Sequence, residues 1–138
     1  MPGFAASKQA GEPCPKLDNC GQCTIYDHRE QEGFGGCLRF ECFGAGQHVT
    51  QTVFGGEDWR DKPELLGPMV TAFLASRRVF ELLFLVSHAK KRDPDPAQTE
   101  TIEALEAELV EIARSSGTVQ GLDRIERQLR KLFAALGR

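Results

Sequence analysis

Val79-Phe80-Glu81-Leu82-Leu83-Phe84-Leu85-Val86 is the most apolar stretch of the chain, and its reading decides the fold. It is far too short to cross a bilayer, which takes roughly 20 apolar residues. Just upstream, Leu65, Leu66, Met69, Val70, Phe73 and Leu74 recur at spacings of three and four, the period of a helix. A helix that is apolar on most faces is buried on most faces, so this segment reads as the central core helix. Pro63 suits a first helical turn, with Asp61 as a candidate cap. Gly67-Pro68 inside the pattern predicts a kink or a division. Lys90-Lys91-Arg92 places positive charge at the helix C-terminus, and Asp93-Pro94-Asp95-Pro96 breaks the chain there.

Two further helices come after the break. The first runs from about Ala97 to Arg114, with an apolar stripe of Ile102, Leu105, Leu109 and Ile112 and glutamates on its outer face. Ser115-Ser116-Gly117 ends it. The second starts near Val119 and carries Leu122, Ile125, Leu129, Leu132, Phe133 and Leu136, with Arg124, Arg127, Arg130 and Lys131 opposite. An acidic helix succeeded by a basic one after a short turn predicts an antiparallel hairpin with complementary flanks. Surface pairs of this kind contribute only about 0–1 kcal/mol each. Burial of the stripes must therefore supply most of the stability.

Ahead of the helices the pattern changes. Residues 1–12 are small and polar and read as a flexible arm. Residues 13–60 hold every cysteine and eight of the 14 glycines. Between the glycines lie three short candidate strands: Cys23 to Tyr26, Cys37 to Cys42, and His48 to Phe54. In the last, Val49, Gln51 and Val53 alternate with Thr50 and Thr52. The expected fold is therefore α+β: a small turn-rich, cysteine-containing N-terminal lobe at 13–60, packed on a C-terminal three-helix bundle at 61–138, in one compact domain.

The five cysteines crowd between Cys14 and Cys42, and the 96 residues beyond hold none. Their spacing is Cys14-x5-Cys20-x2-Cys23-x13-Cys37-x4-Cys42. Cys20-Gly21-Gln22-Cys23 is a CxxC turn of the kind that points two sulfurs at one zinc ion. A tetrahedral site needs four ligands, and five thiols plus His28 offer more than enough. Free thiols acting as small hydrophobes, or a disulfide or redox pair, are the other readings of the same residues. No helix is evident at Cys20, where a thioredoxin-type motif would need one.

Gly11-x-x-Cys14-x-x-Leu17, Cys23-Thr24-Ile25-Tyr26-x-x-Arg29 and Cys37-x-x-Phe40 together resemble the latter half of the zinc- or iron-chelating cysteine-cluster family. Three further stretches are similar to a domain found in some bacterial pentapeptide-repeat proteins. They are Gly33-Phe34-Gly35-Gly36-Cys37, Glu41-Cys42-Phe43-Gly44-Ala45-Gly46-Gln47, and Val53-Phe54-Gly55-Gly56 leading to Trp59-Arg60. Phe80-Glu81-Leu82-Leu83 looks like the next helix of that domain. The resemblance implies Cys14, Cys23, Cys37 and Cys42 as metal ligands; Cys20 lies outside its pattern and is expected as a substitute ligand. It implies zinc, with iron as the alternative. The family's upstream CxxC half and the repeats are missing here, which points to a reduced homologue or to a start upstream of Met1.

Several functions are excluded by the same residues. A net charge of −3 argues against a nucleic-acid or anionic-membrane partner. The first residues form no apolar leader of signal-peptide length, so a cytoplasmic location is expected. Gly44-Ala45-Gly46-Gln47 lacks the Lys-Ser/Thr ending of a phosphate loop and reads as a tight turn. No Ser-His-Asp order, HExxH or paired-carboxylate signature appears. His28 is a solvated histidine or a further metal ligand; His48 and His88 have no evident partner, and His88 near a helix end suits the dipole. Trp59 is a packing anchor or a partner contact. Glu81 either turns to solvent or pairs with Arg77, Arg78 or His88. The expected function is a non-catalytic metal-binding module. The alternatives are a metal-free helical interaction or homo-oligomerisation protein and a thiol redox protein.

Overall fold

The computed structural model describes residues 3–9, 11–115 and 121–137. Its architecture is all-helical, which overturns the α+β expectation. Among the described residues there is no strand; the only β-pairing is an isolated bridge between Leu17 and Cys23. The chain forms two compact units, Met1–Glu41 and Cys42–Arg138.

In the second unit, helix formation obeys the apolar periodicity. Pro63–Leu65 makes a 3-10 turn that leads directly into a 25-residue α-helix, Leu66–Lys90. Gly67-Pro68 neither kinks nor divides it. Both residues lie in its first turn, where the N–H that proline lacks would have no intrahelical partner anyway. A second helix, Pro96–Arg114, opens on a capping box. Asp95 accepts from the Gln98 N–H at 2.8 Å, and the Gln98 side chain accepts from the Asp95 N–H at 2.9 Å. A third spans Leu122–Leu136. Val119, the expected start of this last helix, lies outside the described residues, as do Ser116 and Gly117.

The long helix packs against both of the others. Val79, Leu82, Val86 and Ala89 from it, Ile102, Leu105 and Leu109 from the second, and Leu122, Ile125, Leu129 and Leu132 from the third form one buried core. The apolar stripes read from the sequence are thus the core faces. Each fully buried aliphatic side chain contributes about 1.5–3 kcal/mol of transfer free energy. Ion pairs lace the margins. Lys90 meets Glu106 at 2.5 Å, Arg78 pairs with Glu126, and Arg124 with Glu108.

The strand expected at His48–Phe54 is helical. One α-turn at Ala45–Gln47 widens into a π-helix over His48–Val53, closed by Phe54 N–H donating to the Val49 carbonyl at 3.0 Å. Gly44 begins it in the left-handed region at φ +92°, open to glycine at no steric cost. The reason is tertiary. Ala45 and Val49 are buried and the segment packs on the long helix, while strand propensity is a weak, context-dependent preference. In place of the strand expected at Cys37–Cys42, Gly35–Arg39 is a short α-helix, and Tyr26–His28 is a 3-10 turn. Neither segment has a neighbouring strand to pair with among the described residues.

In chain order the α-helices are α1 (Gly35–Arg39), α2 (Ala45–Gln47), α3 (Leu66–Lys90), α4 (Pro96–Arg114) and α5 (Leu122–Leu136).

Candidate functional site

All five cysteines are free thiols. Cys14, Cys20, Cys23 and Cys37 belong to the first unit, and Cys42 opens the second. Cys20 is exposed and the others are half-buried. Cys20 and Cys23 sit on a turn organised by Asp18. One carboxylate oxygen of Asp18 accepts from the N–H groups of both Cys20 and Gln22, each at 2.8 Å. The Asp18 N–H donates to the Gln22 carbonyl at 2.9 Å, and the Thr24 N–H to the Lys16 carbonyl at 2.9 Å. Gly21, at φ +75°, makes the reversal. Sequence reading missed Asp18; its position ahead of Asn19 and Gly21 is the turn signal that could have found it.

The turn presents two sulfurs at CxxC spacing and does no more than that. Among the described residues, no three His, Cys, Asp or Glu side chains gather into a group that could hold a metal ion. Cys37 lies on α1, and α1 packs through glycine. The Gly36 N–H donates to the Gly3 carbonyl at 2.7 Å, and a side chain at Gly36 would meet the Phe4 ring at 2.4 Å. The Phe4 ring stands edge-on to buried Phe34. Arg29 stacks 3.9 Å over the Tyr26 ring, and its Nε is buried without a hydrogen-bond partner among the described residues.

The second unit offers a different kind of surface. α3 is central, but it is not buried all round. Leu74 is 64% exposed and Phe84 45%. Phe43 packs beside Phe84 with ring centroids 5.0 Å apart, and Arg77 lies 5.9 Å over the Phe43 ring. His88 stacks on Phe84 at 4.3 Å, and its Nδ1 donates to the Phe84 carbonyl at 3.0 Å. The outcome is an aromatic and cationic patch along one side of α3. The sequence could not separate this side from the core sides, because α3 is apolar on both.

His48, which had no evident partner in the sequence, packs on Phe80, and its Nε2 donates to the Ala113 carbonyl at 3.2 Å. A carbonyl can only accept, so Nε2 carries the proton. Glu81 is half-buried at the rim of a cleft of about 270 Å³ between α3 and α5, with Arg78, Leu82, Leu85, Leu129 and Phe133. That volume lies just below the 300–1,000 Å³ usual for ligand pockets. Arg78 at the same rim is held by Glu126 and Asp123. Hydrogen bonding to Arg130, then the charge of Arg78, keeps the Glu126 carboxyl below the usual carboxylate range. No helix among the described residues is long and apolar enough to cross a membrane.

No family model matches the chain, and no solved structure matches it. The chain is similar to the uncharacterised protein YybG of Bacillus subtilis (strain 168), at 39% identity over 90 residues. That alignment covers 65% of this chain and 32% of YybG, so the chain spans about a third of the length of the curated relative it matches.

Proposed function

We propose that this chain is a non-catalytic protein-interaction module, with the outward side of α3 as its contact surface. One observation carries the reading: Leu74 and Phe84 stand exposed on the helix whose other sides build the core. A single exposed leucine means little. A leucine and a phenylalanine on one helix, the second backed by Phe43 and His88, have the aromatic-rich composition of a contact surface. The reading places the chain in a reducing compartment such as the cytoplasm, which the five free thiols support. Hydroxyl-radical footprinting tests it. Leu74 and Phe84 should be labelled in dilute purified protein and protected in concentrated protein or in extract of the source cells. Equal labelling under all three conditions would sink the reading.

A second reading makes the cysteines the ligands of a structural zinc, or of iron: Cys14, Cys23, Cys37 and Cys42, with Cys20 as substitute. The Asp18-centred turn favours it, because it holds Cys20 and Cys23 at knuckle spacing. Among the described residues no three His, Cys, Asp or Glu side chains gather in one group, so the reading rests on the turn alone. Elemental analysis of protein purified without added metal decides. Stoichiometric zinc or iron that Cys23→Ser removes would establish the site, and metal-free protein of unchanged fold would exclude it.

A further inference from the structure

Val70, Leu74, Arg77, Glu81, Phe84 and His88 succeed one another along α3 at steps of four, three, four, three and four. That is the 3.5-residue spacing of a coiled-coil seam. All six are half-buried or exposed. Val79, Leu82, Val86 and Ala89, which build the core, lie on the helix's other side.

The chemistry of this seam is symmetric about its midpoint at position 79. If α3 is laid antiparallel against a copy of itself, with a twofold axis at that point, Leu74 of each copy meets Phe84 of the other. Arg77 of each meets Glu81 of the other, and Val70 meets His88. Leu74 and Phe84 set apolar against apolar, opposite charges face each other twice, and the end pairs of Val70 with His88 are mixed. A parallel pairing would instead set Arg77 against Arg77 and Glu81 against Glu81, a like-charge contact that disfavours it. Isologous contact of this kind is the commonest form of closed assembly. Glu81 gains most, because among the described residues the nearby Arg78 is already taken by Glu126 and Asp123.

We propose that the partner of the α3 face is a second copy of this chain, docked antiparallel in this register. The proposal rests on the interaction reading above and names its partner. Sedimentation of the full chain across a dilution series tests it. The native chain should sediment at twice its monomer mass. R77E alone and E81R alone should each weaken the dimer by about tenfold or more, since each sets like charges face to face. An equimolar mixture of the two variants should restore a dimer containing one of each, because there both facing pairs set a glutamate against an arginine, whereas in either homodimer both facing pairs carry like charges. Leu74→Glu should yield monomer. Circular dichroism should show unchanged helix content throughout, as these positions lie outside the core. A chain that is monomeric at every concentration overturns the proposal. So does a dimer indifferent to the single swaps. If Leu74 and Phe84 are still protected in cell extract in those cases, only the second copy is lost. If they are labelled equally everywhere, the interaction reading falls as well.

Discussion

Among the described residues, Phe34 is the single buried hydrophobic side chain of Met1–Glu41, whereas those of Cys42–Arg138 include fourteen. The first unit takes its shape from turns. Asp18 gathers two N–H groups, Gly21 and Gly33 reverse the backbone, and Gly36 lets Phe4 close in. The second takes its shape from aliphatic stripes that three helices turn towards one another. Hydrogen bonds exposed to water contribute little net stability each, because water competes for the same groups. Buried apolar area has no such competitor. The cysteines therefore sit mostly in the unit with the smaller core, and the candidate contact face sits on the unit with the larger one. A contact face must hold its side chains in a fixed array, which a packed core provides.

The sharpest way to break this contrast is to cut the same side chain in both units. Leu109 is fully buried, and Leu109→Ala should cost about 3–5 kcal/mol, read by urea denaturation. Leu38 is 52% exposed, and Leu38→Ala should stay within about 0.5 kcal/mol. Equal costs would mean that the first unit has a core of its own. Next in size is Gly36→Ala. The added methyl meets the Phe4 ring, so the first unit should lose about 1–3 kcal/mol. Amide exchange should then speed up among residues 3–41 and stay unchanged along α3, α4 and α5. Smaller again is Asp95→Ala, which removes the capping box of α4 and should lower stability by about 1 kcal/mol, seen as a lower thermal midpoint.

The smallest effect is that of pH on Glu126. In the unfolded chain its carboxyl titrates near 4.5, and in the fold it is held lower, first by Arg130 and then by Arg78. A depressed carboxylate stabilises the fold above its unfolded value and loses that contribution as pH falls through the folded value. The native chain should therefore melt above Glu126→Gln at neutral pH, and the difference should shrink as pH falls from 4.5 through the lower folded value. Parallel melting curves at all pH values would show that neither Arg130, one turn along α5, nor Arg78, across on α3, stabilises the fold through Glu126.

Much of this was legible in the chain. The stripes of α4 and α5 repeat over several turns, and a long periodic signal outweighs local noise. The breaker at Asp93 to Pro96 was equally plain. His48–Phe54 was not, because its β-branched alternation fits a strand and its true partner, α3, is distant in sequence. Gly67-Pro68 reads as a kink only if the α-helix begins at Pro63; with the 3-10 turn in between, the pair falls in the first α-helical turn. Among candidate site residues, the cysteines were visible as a cluster in sequence, but nothing in their spacing told whether the sulfurs would meet.

The amino-acid sequence by itself determined three helices and the faces that α4 and α5 bury, because an amphipathic period has one way to hide its apolar side. It also determined a cysteine-bearing region distinct from them. Only tertiary structure decided which side of α3 stays uncovered, because a helix apolar all round carries no mark of where its neighbours stop. The packing of α4, α5 and residues 45–53 against it leaves Leu74 and Phe84 facing out.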